Sequence, residues 1–211
     1  PDAHFLTEVR YKGTKVVSVS PDYAESTTSS DAWLNVKAGT DAALAMAMGH
    51  VILKEYYIDK ETPYFKEYAK EFTDMPFLVR VEDINGTVQP GRFLNAKDLG
   101  RQEEGADFQM VLIDELTNEI VVPNGTMGER HTHPEKWNLR LENRDTGAKI
   151  DPRLSVFDQR EDVTIVKLPY FGDEEHEGII ERAIPTITVQ TVDGPVKVTT
   201  VYDLILANYG I

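Results

Sequence analysis

The chain has 211 residues, no cysteine and a formal net charge of −14, from 36 acidic and 22 basic side chains. This charge repels phosphate backbones and anionic lipid, and no apolar run approaches the roughly 18 residues of a membrane span, so neither nucleic-acid binding nor membrane insertion is expected. The absence of cysteine excludes disulfides, thiolate nucleophiles and cysteine-bound iron–sulfur clusters within these residues, and it fits a cytoplasmic chain.

The first third of the sequence alternates predicted helices with predicted strands. Residues 3–11 form a short amphipathic helix that closes at Gly13. The β-branched run 15–20 predicts a strand that stops at Pro21, and residues 32–37 predict a second one. Residues 38–41 then open a long helix with Thr40 as a plausible N-cap. Its apolar stripe is Leu44, Met48, Val51 and Ile52.

The remainder is predicted to be mostly strands. A helix over 63–72 comes first, and its aromatic residues at helical spacing are expected in the core: Tyr64, Phe65, Tyr68 and Phe72. Turn signals such as Asn85-Gly86 and Asp193-Gly194 separate short apolar runs. These runs predict strands near 77–82, 109–114, 119–122, 137–142, 163–167, 186–191 and 196–199. A capping box, Thr200 to Asp203, starts a final helix.

The predicted elements indicate the α/β fold class, with a long β-rich stretch after the first third of the chain. Residues 1–75 form a partial nucleotide-binding region, 76–198 a β-rich insertion and 199–211 a C-terminal helix. Because the chain starts inside a helix, without Met and without a preceding strand, we expect a piece excised from a longer protein.

Two short segments are candidates for holding a nucleotide, since ligands of open α/β sheets lie at strand carboxyl ends and helix N-termini. In Gly39-Thr40-Asp41, the carboxylate of Asp41 is a pair of acceptors that matches the N1–H and N2–H₂ donors of guanine, which adenine lacks. Helix capping alone also explains the motif.

The second segment is Ser20-Pro21-Asp22 at the end of the first strand. A polar residue there is well placed for ribose hydroxyls, as in dinucleotide folds, although a turn would use the same residues. The G-x-G-x-x-G signature is absent, which argues against an ordinary NAD site.

Histidines give weaker signals. His131, His133 and Glu135 are spaced as half of a metal site, but no third or fourth ligand follows convincingly. His176 lies in an acidic run that is typical of a solvated loop. No metal site and no catalytic residue is predicted in this chain.

Residues 16–25 and 39–51 together resemble the molybdopterin-guanine-dinucleotide oxidoreductases, and the Gly-Thr-Asp-x-Ala-Leu element at 39–44 is similar to their guanosine-binding segment. Most relatives carry Asp-Pro-Arg at the strand end, where this chain has Ser20-Pro21-Asp22. That departure fits one branch, the respiratory nitrate reductase alpha subunits. Segments 1–15, 72–76, 136–139 and 199–210 also resemble this branch, while 81–181 matches it loosely apart from the patch around Trp137.

The resemblance implies an internal fragment of a catalytic subunit that reduces nitrate to nitrite at molybdenum bound by two molybdopterin guanine dinucleotides. It also implies that the fold is a truncated Rossmann-like half-domain with a β-rich insertion. An iron–sulfur beta subunit, a membrane gamma subunit and a cytoplasmic, membrane-associated location are implied as well. The 4Fe-4S cluster of such a parent is not ligated within these residues. Ser20, Pro21, Asp22, Gly39, Thr40 and Asp41 would border the guanosine, and the isolated chain is expected to be inactive. The alternatives are a stand-alone interaction module and a related oxidoreductase acting on formate or a sulfoxide.

Overall fold

A computed structural model describes residues 3–125, 140–170 and 178–211, and the chain divides into two compact units, 1–52 and 53–211. Both helices and strands are present, which confirms the mixed α/β class. Within the described residues, no helix is both long and apolar enough to cross a membrane. The division at 1–75, 76–198 and 199–211 stays a prediction.

The first unit contains two parallel strands and helices that alternate with them. Strand β1 (Val17–Ser20) pairs with β2 (Ala32–Asn35), from Val17 opposite Ala32 to Ser20 opposite Asn35. The helices are α1 (Ala3–Tyr11), α2 (Glu25–Thr28) and α3 (Asp41–Ile52). Parallel neighbours need a crossover connection, here supplied by the loop that carries α2.

The second unit is built on a five-stranded antiparallel sheet. A π-helix (Leu53–Asp59) and α4 (Pro63–Phe72) precede it, and α5 (Val201–Tyr209) follows. The strands, in spatial order, are β4 (Thr87–Phe93), β3 (Leu78–Ile84), β11 (Gly194–Thr200), β10 (Ile179–Thr191) and β9 (Asp162–Pro169). Two smaller sheets pair β5 (Leu112–Ile113) with β6 (Ile120–Val121), and β7 (Pro123–Asn124) with β8 (Arg140–Asn143).

The core of this unit is formed by β-branched and leucine side chains. One buried cluster joins Leu78 and Val198 of the sheet to Leu94 and Val111, which lie outside its strands. A second joins Val166 and Ile184 of the sheet to Ala207 of α5. The N-terminus of α5 is fixed as the capping box predicts, because the amide of Asp203 donates to Thr200 Oγ1 at 3.1 Å.

The expectation that the aromatic residues of α4 lie in the core is wrong for three of them. On α4, Tyr64, Tyr68 and Phe72 are exposed, and Phe65 packs against the buried cluster around Tyr57. On α3, the stripe residues Met48, Val51 and Ile52 are exposed as well. Helical spacing shows which side chains can share an apolar face, but it does not supply the surface that would cover that face.

Strand β4 was not predicted, because Pro90 and Gly91 interrupt its pattern. Proline lacks the N–H that a central strand must donate, so it is tolerated at an edge or a bulge. β4 is an edge strand, and its register with β3 shifts between Val79 and Val81. The neighbouring Asn85-Gly86 turn is confirmed, with φ of +56° and +80°.

Candidate functional site

Both predicted nucleotide segments leave the same end of the β1–β2 pair. The last paired residues are Ser20 and Asn35, and parallel strands end at a common edge. The segment 20–22 at the end of β1 and the segment 36–41 that follows β2 therefore start from the same edge of the strand pair. This brings the two segments to one edge of the first unit.

The segment after β1 is fixed by its own hydrogen bonds. Ser20 Oγ donates to the carbonyl of Asp22 at 2.6 Å, which closes a tight turn. The indole Nε1 of Trp33 donates to the Ser20 carbonyl at 3.0 Å and lies 3.2 Å from Ser20 Oγ. Pro21 and Asp22 are exposed. Ser20 thus shapes the turn, and Asp22 is the residue whose side chain faces solvent.

Trp33 is a functional candidate that the sequence interpretation missed. Its ring packs edge-on against Tyr23, with centroids 5.3 Å apart, so two aromatic residues support the turn that carries Asp22. A tryptophan at the second position of a short strand carries no signal by itself. Only the register of β2 against β1 brings its indole N–H to the end of β1.

A carboxylate fixes the start of the same strand pair. Asp31 accepts from the amide of Val16 at 2.8 Å and from Arg10 Nη2 at 2.8 Å. The Val16 amide first, and then the Arg10 guanidinium, hold the pKa of this carboxyl below its usual value. Asp31 therefore stays charged at neutral pH and links α1 to the beginning of β1.

The second segment begins α3. Gly39 has φ of +83°, which disfavours other residues, and a Cβ placed on it would meet nothing within 4 Å. Thr40 Oγ1 donates to the Lys37 carbonyl at 2.7 Å and so closes the loop. Asp41 is the first residue of α3 and is exposed. An acidic side chain in a first helical turn is stabilised by the positive end of the helix dipole.

The residues present fit a guanosine better than its phosphates. Asp22 and Asp41 offer acceptors that match ribose hydroxyls and the donor edge of guanine. Two carboxylates would repel a phosphate. The open space in front of Gly39 allows a ring to approach the backbone closely.

Within the described ranges, no group of three or more acidic or histidine side chains is arranged to hold a metal ion. His131, His133, Glu135 and His176 lie outside those ranges.

Comparison with known proteins matches residues 2–190 to the molybdopterin oxidoreductase family model. Over its full length the chain is 48% identical to the nitrate reductase alpha chain of Bacillus subtilis and 44% identical to the respiratory nitrate reductase 1 alpha chain of Escherichia coli. It is 38% identical over 130 residues, 62% of the chain, to perchlorate reductase subunit alpha of Dechloromonas aromatica.

The chain spans 17% of the Bacillus relative and 18% of the Escherichia relative, so it corresponds to a segment of these longer alpha chains. The family match covers most of the sequence and includes both predicted nucleotide segments. The chain belongs to the molybdopterin oxidoreductase family and is homologous to nitrate reductase alpha subunits.

Proposed function

We propose that this chain is part of the catalytic alpha subunit of a respiratory nitrate reductase, which reduces nitrate to nitrite. The observation that carries this proposal is identity of 43–48% to nitrate reductase alpha chains along the whole chain. Matches to perchlorate reductase and dimethylsulfide dehydrogenase alpha subunits are weaker and cover 62% and 61% of it.

The role of these residues is to hold one guanosine of a molybdopterin guanine dinucleotide. Asp41 accepts the N1–H and N2–H₂ donors of the base, and Gly39 and Thr40 shape the start of α3. Ser20, Pro21 and Asp22 border the ribose. A hydrogen bond to a charged acceptor contributes roughly 1.5–3 kcal/mol, so a paired contact to Asp41 is enough to select guanine over adenine.

The molybdenum cofactor, when bound, supplies the oxygen-atom transfer chemistry. The residues of this chain bind and orient one end of it. The parent subunit carries a 4Fe-4S cluster with ligands elsewhere in its sequence, and it works with an iron–sulfur beta subunit and a membrane gamma subunit at the cytoplasmic face. The 211-residue chain by itself is inactive.

The test is Asp41→Ala in the full-length subunit, with guanine released on acid hydrolysis measured per enzyme. We expect a large loss of bound guanine dinucleotide and of nitrate reduction. Asp107→Ala, at an exposed position in the second unit, is the control and should retain both. Wild-type guanine content in Asp41→Ala would refute the assignment.

A related substrate is the second candidate, favoured by the partial matches to perchlorate reductase and dimethylsulfide dehydrogenase. The purified enzyme, assayed with nitrate, perchlorate and a sulfoxide under one electron donor, distinguishes them. Nitrate should give the highest kcat/KM.

A further inference from the structure

The second unit contains a cavity of about 600 Å³, which is within the range of small-molecule sites. Its walls come from the π-helix, α4, the segment 153–159 and α5. None of the six residues proposed to hold guanosine lines it.

Unusual backbone borders this cavity on one side. The π-helix 53–59 is a rare form that is frequently found at functional sites. Glu61, which follows it, has φ of +45°, a strained conformation for a residue other than glycine. Strained backbone persists only where the surroundings hold it, and it clusters at ligand-binding sites.

One part of the wall is apolar. Tyr57, Leu154 and Tyr202 are buried members of one hydrophobic cluster, and Leu206 packs against them. A ligand that enters here must present an apolar body to these side chains.

The cations of the wall differ in how their charge is balanced. Lys66 contacts Glu61 at 2.6 Å. Lys70 contacts Asp151 at 2.6 Å and Glu115 at 3.0 Å; burial opposes its charge, but these two carboxylates together raise its pKa. Both lysines are therefore neutralised within the fold.

Arg153 is different, because its hydrogen-bond partners are neutral amides. Its Nη1 donates to Asn118 Oδ1 at 2.6 Å and to Gln159 Oε1. Among the described residues, no carboxylate forms an ion pair with it, and Nε and Nη2 remain for a ligand. That edge of a guanidinium binds a carboxylate with two parallel hydrogen bonds.

The acidic groups of the wall limit the charge that a ligand can carry. Asp158 is exposed, and burial raises the pKa of Asp203, which accepts from Ser155 Oγ at 2.6 Å. Glu61 and Glu115, the partners of the two lysines, also line the cavity, so its wall carries more carboxyl groups than cations. Arg153 is the lining cation without a carboxylate partner among the described residues, and a singly charged anion is therefore favoured over a doubly charged phosphate.

We propose that this cavity binds a small monocarboxylate with an apolar body, held by the guanidinium of Arg153 and packed against Tyr57, Leu154 and Leu206. Binding of this ligand does not depend on the residues proposed to hold guanosine, because none of them lines the cavity.

The test is a calorimetric titration of the purified enzyme with hexanoate. Hexanoate should bind saturably, and hexanol and hexyl phosphate at least ten-fold more weakly. Arg153→Gln should weaken hexanoate binding at least ten-fold. Arg160→Gln is the matched control, since Arg160 lies in the same region, stacks on Phe157 and does not line the cavity.

Leu206→Phe, which fills the apolar part, provides a second variant if Arg153→Gln does not fold, and it should abolish hexanoate binding. The proposal is overturned if hexanoate shows no saturable binding, if both variants bind it as the wild type does, or if hexyl phosphate binds more tightly. Guanine content in these variants should equal that of the wild type, so failure here leaves the guanosine assignment unaffected.

Discussion

Two buried aspartates of the second unit show how single partners decide the state of a carboxyl group. Asp98 is 5% exposed and Asp203 is 4% exposed. Burial works against the charge of Asp98, but hydrogen bonds from Arg92 and the Asn95 amide outweigh it and lower its pKa. Burial raises the pKa of Asp203, whose donors are the neutral groups of Ser155, Val156 and Thr200. The two pKa values move in opposite directions because Asp98 has a cationic partner, Arg92, whereas the hydrogen-bond donors to Asp203 are neutral.

We expect Asp98→Asn to lower the free energy of unfolding at pH 7. Asp98 accepts from Arg92 Nη1 at 2.7 Å and from the Asn95 amide at 3.0 Å. Arg92 is half exposed, so solvent screens part of the interaction, and a loss of about 1–3 kcal/mol is expected. Urea unfolding of the wild type and the variant measures it, with Asp107→Asn as an exposed control.

The pH dependence of this loss has a definite sign. Because the pKa of Asp98 is lower in the folded state, its contribution is present above the unfolded pKa of about 4 and is lost as the pH falls through the folded pKa. The difference between wild type and Asp98→Asn should therefore shrink in acid. A difference that is the same at pH 3 and pH 7 would contradict this.

Asp203→Asn should show the opposite pH trend. The folded-state pKa of Asp203 is raised, so its favourable contribution is complete below about pH 4 and declines as the pH rises through the folded pKa. The stability advantage of the wild type over the variant should narrow from pH 4 to pH 7. Urea midpoints at both pH values measure it, and an advantage that widens would refute the assigned direction.

At the level of elements, the sequence predicted those whose signals are local. Helix α4 begins at Pro63 as its proline indicates, and α5 begins after its Thr200 cap. The two ends that form the candidate site were also predictable, because a β-branched run ending at Ser20 and a glycine before Asp41 are local patterns. These positions were found without any knowledge of pairing.

Features that depend on a distant partner were not predictable. Strand β4 required an edge position to accommodate Pro90, and the contact of Trp33 with Ser20 required the parallel register. Burial on α4 was misjudged because Tyr68 and Phe65 lie on adjoining parts of one apolar face, and only the part with Phe65 meets a neighbour. Sequence spacing cannot distinguish these two parts.

The β3–β4 hairpin gives a prediction about backbone conformation. Gly86 has φ of +80°, a region that costs most other residues about 1–2 kcal/mol, although a Cβ would meet nothing within 4 Å. Gly86→Ala should therefore lower the free energy of unfolding through conformation alone. Gly86→Asn, which tolerates this conformation better, should cost less. Thermal unfolding compares the two, and equal losses would contradict the conformational explanation.

At the level of the whole molecule, the excess of negative charge destabilises the compact state through repulsion between the acidic side chains. The net charge is −14. The exposed ion pairs of Lys54 with Asp59 and of Lys60 with Glu55 offset little of the resulting repulsion, because a surface ion pair contributes only about 0–1 kcal/mol. Added salt shortens the screening length from about 30 Å at 0.01 M to about 10 Å at 0.1 M. Added salt should therefore weaken the repulsion between acidic side chains more than it weakens the attraction within ion pairs.

We accordingly expect the Tm of the 211-residue chain to rise between about 0.01 and 0.1 M sodium chloride, because the compact state concentrates the excess negative charge. Removing two exposed acids, with Glu104→Gln and Glu67→Gln together, should raise Tm at low salt and have less effect at high salt. Calorimetric scans at both salt concentrations measure the two effects. A Tm that falls with salt would mean that attractive pairs such as Lys70 with Asp151 outweigh the net repulsion.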